Sequence, residues 1–199
     1  MRGTARPRVV LAALAALAAL LAGAAPGSGL AMRTASAEPL PPGSIGVIAG
    51  AASGTGADAS RLGFGYQIGG QAAWQPMVTE RRIGWAARWS AAFGTMYDAG
   101  AASVGDTLKT LHMDLMLGLR VRPGTNPGRY LTLRAGGQLL RTNQVVPPAM
   151  QRAFAGAVAS VGIDQYAYGF LFNVDVRVGQ LGAGPTMIAL MFGAGKTGP

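Results

Sequence analysis

The chain has 199 residues, half of them apolar but only 7% aromatic, with 31 glycines and just 13% charged residues. That length is enough for one domain with a real core, and the charged share is about half the usual one. The formal charge of +9 is not a nucleic-acid signature. Arg2, Arg6, Arg8 and Arg33 fall in an N-terminal leader, and without them 13 basic residues stand against 8 acidic ones. The remainder are scattered, with only Arg81 and Arg82 adjacent and no basic run, so no nucleic-acid partner is expected. Cysteine is absent, which excludes disulfides, thiolate metal sites and a cysteine nucleophile. No metal or other cofactor is expected.

The chain opens on MRGTARPR and continues into an uncharged apolar run over 9–25. Pro26 follows, and Ala35-Ser36-Ala37 forms a small-x-small pattern before Glu38. This is the order of a secretory signal peptide over 1–37, leaving 38–199 as the mature domain.

From there the recurring signal has period two. A weak first strand lies over 44–52, where small residues leave the faces ambiguous. Over 62–74, Leu62, Phe64, Tyr66, Ile68, Ala72 and Trp74 share one face, while Gly63, Gly65, Gln67, Gly69 and Gln71 share the other. Over 83–97, Ile83, Trp85, Ala87, Trp89, Ala91, Phe93 and Tyr97 oppose Gly84, Arg88, Ser90 and Gly94. Over 109–122, Leu111, Met113, Leu115, Leu117, Leu119 and Val121 oppose Thr110, His112, Asp114, Gly118 and Arg120. Over 129–141, Leu131, Leu133, Ala135 and Leu139 oppose Tyr130, Thr132, Arg134, Gly136 and Gln138. A small-residue strand over 153–162 is expected to turn at Asp164-Gln165 into a strand over 166–179. In that strand Phe170, Phe172, Val174, Val176 and Val178 oppose Asn173, Asp175 and Arg177. A last strand over 185–195 places Thr186, Ile188, Leu190 and Phe192 together. Turn-like separators join all eight, so the expected order is antiparallel and up-and-down.

The two faces decide where such a protein lives. A soluble barrel would turn its aromatic and aliphatic face inward and coat the other with Lys, Glu and Asp. Here the second face is mostly Gly, Ala, Ser, Thr and Gln. Beyond the leader there are only two lysines, Lys109 and Lys196, and two glutamates, Glu38 and Glu80. Eight strands enclose a lumen just wide enough for side chains. Three tryptophans, several phenylalanines and a dozen aliphatics would overfill it; small residues and a few paired charges fit. The apolar face therefore points outward, which is stable only against lipid, and only a closed barrel crosses lipid with its backbone satisfied. The expected fold is all-β, an eight-stranded antiparallel transmembrane barrel. Strands of about 9 to 15 residues suit that span.

With the N-terminus and the even-numbered connections periplasmic, Trp74 and Trp85 fall at one membrane boundary, joined there by Tyr166 and Tyr168. Tyr66 and Tyr97 approach the other boundary, as in an aromatic girdle. Lys109 and Arg141 point outward near the extracellular rim, where they can meet lipopolysaccharide phosphates or act as interfacial anchors. The loops over 53–61, 98–107 and 142–152 would be displayed outside.

These features resemble the small OmpA/OmpX-type outer-membrane barrels, in architecture rather than in any short motif. The resemblance implies a Gram-negative outer membrane and a monomeric barrel in contact with membrane lipid. One departure concerns the end of the last strand. Such chains often finish on an aromatic residue, whereas Phe192 is followed by GAGKTGP.

The inward charges are Arg88, His112, Asp114, Arg120, Arg134, Asp175 and Arg177. An internal ion-pair network filling the lumen is expected, with Asp114 and Asp175 each against arginine. His112 and Asp114 share a face, and Ser90 or Ser160 would complete a hydrolytic set on paper; a lumenal position argues against that chemistry. No catalytic residue is assigned. The expected role is non-enzymatic, structural or surface-interacting. The alternatives are a secreted soluble barrel for a small apolar ligand and a lipid-modifying membrane enzyme. GAGKT over 193–197 lacks the spacing and the following helix of a phosphate loop.

Overall fold

The computed structural model describes residues 43–55, 62–75, 83–97, 107–124, 128–144, 151–182 and 185–198. The expected leader over 1–37 lies outside the described residues, as do 56–61, 98–106 and 145–150 within the expected surface loops.

Eight strands follow one another: β1 (Gly43–Thr55), β2 (Phe64–Trp74), β3 (Ile83–Tyr97), β4 (Thr107–Val121), β5 (Arg129–Gln144), β6 (Gln151–Ala167), β7 (Phe170–Gln180) and β8 (Thr186–Thr197). Each pairs antiparallel with its neighbours, and β8 closes on β1, so the sheet has no open edge. The register fixes the barrel's dimensions. A walk from Ser44 through Ala73, Arg88, Met116, Gly136, Val158, Gly179 and Met187 returns to β1 at Gly54, ten residues further on. With ordinary strand spacings, that stagger over eight strands gives a tilt of about 41° and a radius of about 8 Å to the Cα atoms. The interior holds side chains and little else.

Alternation sends one set of residues out and the other in. Ile45 is 77% exposed, Trp85 66% and Phe93 64%, within a continuous outer belt that also holds Ile68, Leu115, Leu117, Leu133, Val174 and Phe192. Inside lie Arg88, Ser90, His112, Asp114, Arg134, Asn173, Asp175 and Arg177, all buried. A monomer in water does not expose so broad an apolar surface.

The structure corrects the expected layout in several places. β6 does not turn at Asp164-Gln165. It runs on to Ala167 and reverses at Tyr168-Gly169, whose φ values of 54° and 76° are both left-handed. This is the backbone that a two-residue hairpin loop requires. Tyr166 therefore belongs to β6, not β7, and shares the inward face with Asp164 and Ser160 rather than joining the outer girdle. β5 and β6 also extend into the span expected as a loop over 142–152, and β8 runs to Thr197, two residues past its expected end at Gly195. Leu62, expected on the outer face, precedes β2 and is buried.

The lumen is layered, which the polar reading of the inner face did not anticipate. We call the end holding Gly43 and Thr197 the terminal mouth and the opposite end the distal mouth. Toward the distal mouth the inward residues are mostly apolar, with Thr110 and Thr142 among them: Met96, Leu108, Leu140, Leu181 and Met187 form one buried cluster with Ile48, Ala52, Leu62, Ala189 and Met191, and Phe154 packs against it. The charged side chains occupy the middle of the lumen and the part nearer the terminal mouth.

Candidate functional site

The polar lumen is built by pairing long side chains with glycines. A Cβ on Gly162 would lie 2.2 Å from Asp175 Oδ1, and one on Gly193 would lie 2.3 Å from Gln71 Nε2 and 2.4 Å from Asn173 Oδ1. On Gly179 it would meet the Gln138 amide, and on Gly94 the Gln67 side chain. The glycine-rich inner face thus makes room for the side chains that fill the lumen.

At the centre, Arg88 (β3) and Arg134 (β5) both bridge Asp164 (β6) and Asp175 (β7). Arg88 lies 2.9 Å from Asp164 and also pairs with Asp175; Arg134 lies 2.6 Å from Asp164 and 3.2 Å from Asp175. Arg177 reaches Asp114 at 2.5 Å and Asp175 at 3.4 Å. Ser90 donates its hydroxyl to Asp114 at 2.8 Å and accepts from Arg177 at 2.9 Å. Gln71 donates to Asn173 at 2.6 Å, and Asn173 donates to Asp175 at 3.3 Å. Because β3 and β7 stand four places apart in a ring of eight strands, the contacts of Arg88 with Asp175 and of Arg177 with Ser90 cross the full diameter of the barrel.

Two smaller groups flank this centre. On the distal side, His112 lies between Gln138, 3.0 Å from its Nε2, and Gln67, 3.4 Å from its Nδ1. At the terminal mouth, Arg120 donates to Gln75 and sits 4.6 Å over the Tyr130 ring, which meets Tyr166 edge-on at 6.0 Å. Four buried arginines thus share the lumen with three buried aspartates.

Asp164 is the residue that the sequence reading missed. Its place beside Gln165 gave it the look of a turn. The available signal was that turn chemistry fits Tyr168-Gly169 as well, through Gly169. Tyr130 was placed inward but without a role, and here it stacks under Arg120.

The geometry also bears on the hydrolytic set. His112 contacts two glutamines, whereas Ser90 is engaged by Asp114 and Arg177. The Ser160 hydroxyl is buried with no hydrogen-bond partner. Among the described residues, no serine hydroxyl is hydrogen-bonded to His112, and all three groups are buried in the lumen, away from the lipid-facing surface.

On the outside, Trp74 and Trp85 lie at the terminal end of the belt. Trp74 is paired with Gly43 and Trp85 with Leu119. Tyr66 and Tyr97 lie toward the distal end, opposite Thr95 and Thr107. Tyr168 is 87% exposed in the β6–β7 turn. Lys109 and Arg141 are exposed on the outward face near the distal rim, Lys109 paired with Asn143 and Arg141 with Leu111.

No protein-family model matches the sequence, and no curated protein matches it either. Solved structures do. The chain is similar to Ail, the attachment invasion locus protein of Yersinia pestis, solved in complex with the heparin analogue sucrose octasulfate. Identity is 13% and the TM-score 0.54, covering 79% of this chain and 98% of that one. A second structure of Ail gives 14% and 0.52, over 79% and 98%. The outer membrane protein OprG from Pseudomonas aeruginosa gives 14% and 0.52, over 79% and 96%. The fold is that of the small eight-stranded outer-membrane barrels. At these identities the likeness extends to the fold alone, so what distinguishes this outer-membrane-type barrel is its own lumen and belt.

Proposed function

We propose that the protein is a resident, non-enzymatic barrel of the Gram-negative outer membrane, exported by the leader over 1–37. Its role is structural or surface-interacting, and its lumen is shut by the Arg/Asp network and the apolar cluster. The observation that carries this reading is the pairing of an outer apolar belt with an inner charged core. Ile45, Trp85 and Phe93 are stable where they stand only against lipid. Arg88, Arg134 and Asp175 are stable where they stand only because they pair with one another.

In this reading the terminal mouth is periplasmic and the distal mouth extracellular. Trp74, Trp85, Tyr66, Tyr97 and Tyr168 act as interfacial anchors. Lys109 and Arg141 face the leaflet that carries lipopolysaccharide, whose phosphates they suit as cations. The loops at the distal mouth are the surface offered to an external partner, and the barrel works as a monomer.

Gel migration tests the reading. The membrane fraction of expressing cells should contain a band that shifts its apparent mass on boiling, as a detergent-resistant barrel does. A chain that purifies from the soluble fraction as a monomer without detergent would overturn it.

A further inference from the structure

All three aspartates among the described residues are lumenal, so no described carboxylate faces outward. Outward cations are present, and two of them lie at the terminal rim. Arg129 begins β5, is exposed, and donates through Nε to Gln165 at 3.2 Å. Lys196 is exposed near the end of β8, directly opposite Phe170 on one side and Ile45 on the other. The register puts Arg129, Lys196, Phe170 and Trp74 within about 6 Å of one another along the barrel axis. Between Arg129 and Lys196 runs the β6–β7 hairpin, whose turn holds Tyr168 at a φ of 54°. Left-handed backbone is unusual for a bulky residue, and Asn or Gly would sit there with less strain. A tyrosine held there is an outlier that calls for a role of its side chain outside the turn.

We infer that this rim, formed by Arg129, Tyr168 and Lys196, is a binding surface for anionic glycerophospholipid in the leaflet at the terminal mouth. The inference rests on the outer-membrane reading, which makes that leaflet the periplasmic one. Arg129 and Lys196 stand three strands apart, so the guanidinium and the ammonium each supply donors to a phosphodiester of their own, and the phenol between them supplies a further polar group at headgroup level. Discrimination comes from the charge of the described rim. The phosphate of an ethanolamine lipid travels with its own ammonium, and no described carboxylate stands on the outer face to receive that charge. A glycerol headgroup brings only the negative charge that the two cations attract.

The test uses the mature chain in bilayer nanodiscs holding equal parts of phosphatidylethanolamine and phosphatidylglycerol, with the retained lipids counted by native mass spectrometry. The wild type should retain phosphatidylglycerol in excess. Arg129→Gln and Lys196→Gln should each cut the preference by about fivefold. Lys196→Arg should keep it, and Thr55→Ala, an uncharged exposed position at the other rim, should leave it unchanged. Equal retention of the two lipids by a heat-modifiable wild-type barrel would overturn this inference and leave the outer-membrane reading standing, as would an equal loss in Thr55→Ala. A wild-type chain that folds in buffer without detergent or lipid would overturn both.

Discussion

Arg88 on β3 and Asp175 on β7 meet across the full diameter of the barrel, with no strand common to both. Asp175 is wholly buried and also faces Arg134 and Arg177. Removing this one carboxylate leaves three guanidinium groups in a closed, low-dielectric space with less to oppose them. Breaking a buried pair from one side costs about 3–5 kcal/mol. Asp175→Ala should therefore lower the stability of the folded barrel by roughly that amount, read as the urea midpoint in detergent micelles. A midpoint equal to that of the wild type would sink the idea that the network holds the barrel closed.

The same carboxylate depends on a glycine. A Cβ on Gly162 would lie 2.2 Å from Asp175 Oδ1 and 2.5 Å from the Val174 carbonyl oxygen, so Gly162→Ala forces the network or the backbone to move. Overpacking of this kind costs about 1–3 kcal/mol. Gly70→Ala is the matched control, since a Cβ there would find its nearest neighbour at 3.8 Å, the Gly46 carbonyl oxygen. Urea unfolding of the two variants should separate them clearly. Equal loss in both would show that strand glycines matter here for backbone reasons and not for lumenal space.

Most of this architecture was legible because alternation is a strong signal wherever one face carries large residues. Trp85, Trp89 and Phe93 mark the outer face of β3 without ambiguity, and Arg88 and Ser90 follow on the inner one. The reading failed at the β6–β7 hairpin for a definite reason. Extending the period of Phe170 and Phe172 backward puts Tyr168 and Tyr166 on the same face. A two-residue turn reverses the chain, and in this register even-numbered residues point inward on β6 and outward on β7. Tyr166 therefore changes sides, and Asp164 leaves its supposed turn for the lumenal ion-pair network. The apolar cluster at the distal mouth was hidden differently. Met96, Leu140 and Met187 sit on the inner face of strands otherwise read as polar inside, and periodicity alone does not say that the lumen changes character along its axis.

The outer belt makes predictions of different size for the two solvents. Leu115 is exposed near the middle of the belt, between Trp89 on β3 and Gly137 on β5. An arginine at the midplane of a lipid-facing strand costs about 2–4 kcal/mol, falling to about 0–1 near the interface. Leu115→Arg should therefore destabilise the barrel in bilayers, while Trp74→Arg at the rim should cost much less. On a water-facing surface both changes would stay within about 0.5 kcal/mol. Unfolding of the variants in vesicles distinguishes the cases, and a neutral Leu115→Arg would favour the soluble barrel.

The position of His112 bears on the enzymatic alternative. A lipid-modifying hydrolase needs its histidine within reach of both a nucleophile and a lipid acyl ester. His112 is instead held inside the lumen by Gln67 and Gln138, and Ser90 donates its hydrogen bond to Asp114. The lipid A and phospholipid profiles of cells expressing the wild type should match those of cells expressing His112→Ala and those of cells lacking the protein. A lipid species that appears with the wild type and vanishes in His112→Ala would reverse the assignment, because loss of a purely lumenal contact alters stability and leaves lipid chemistry untouched.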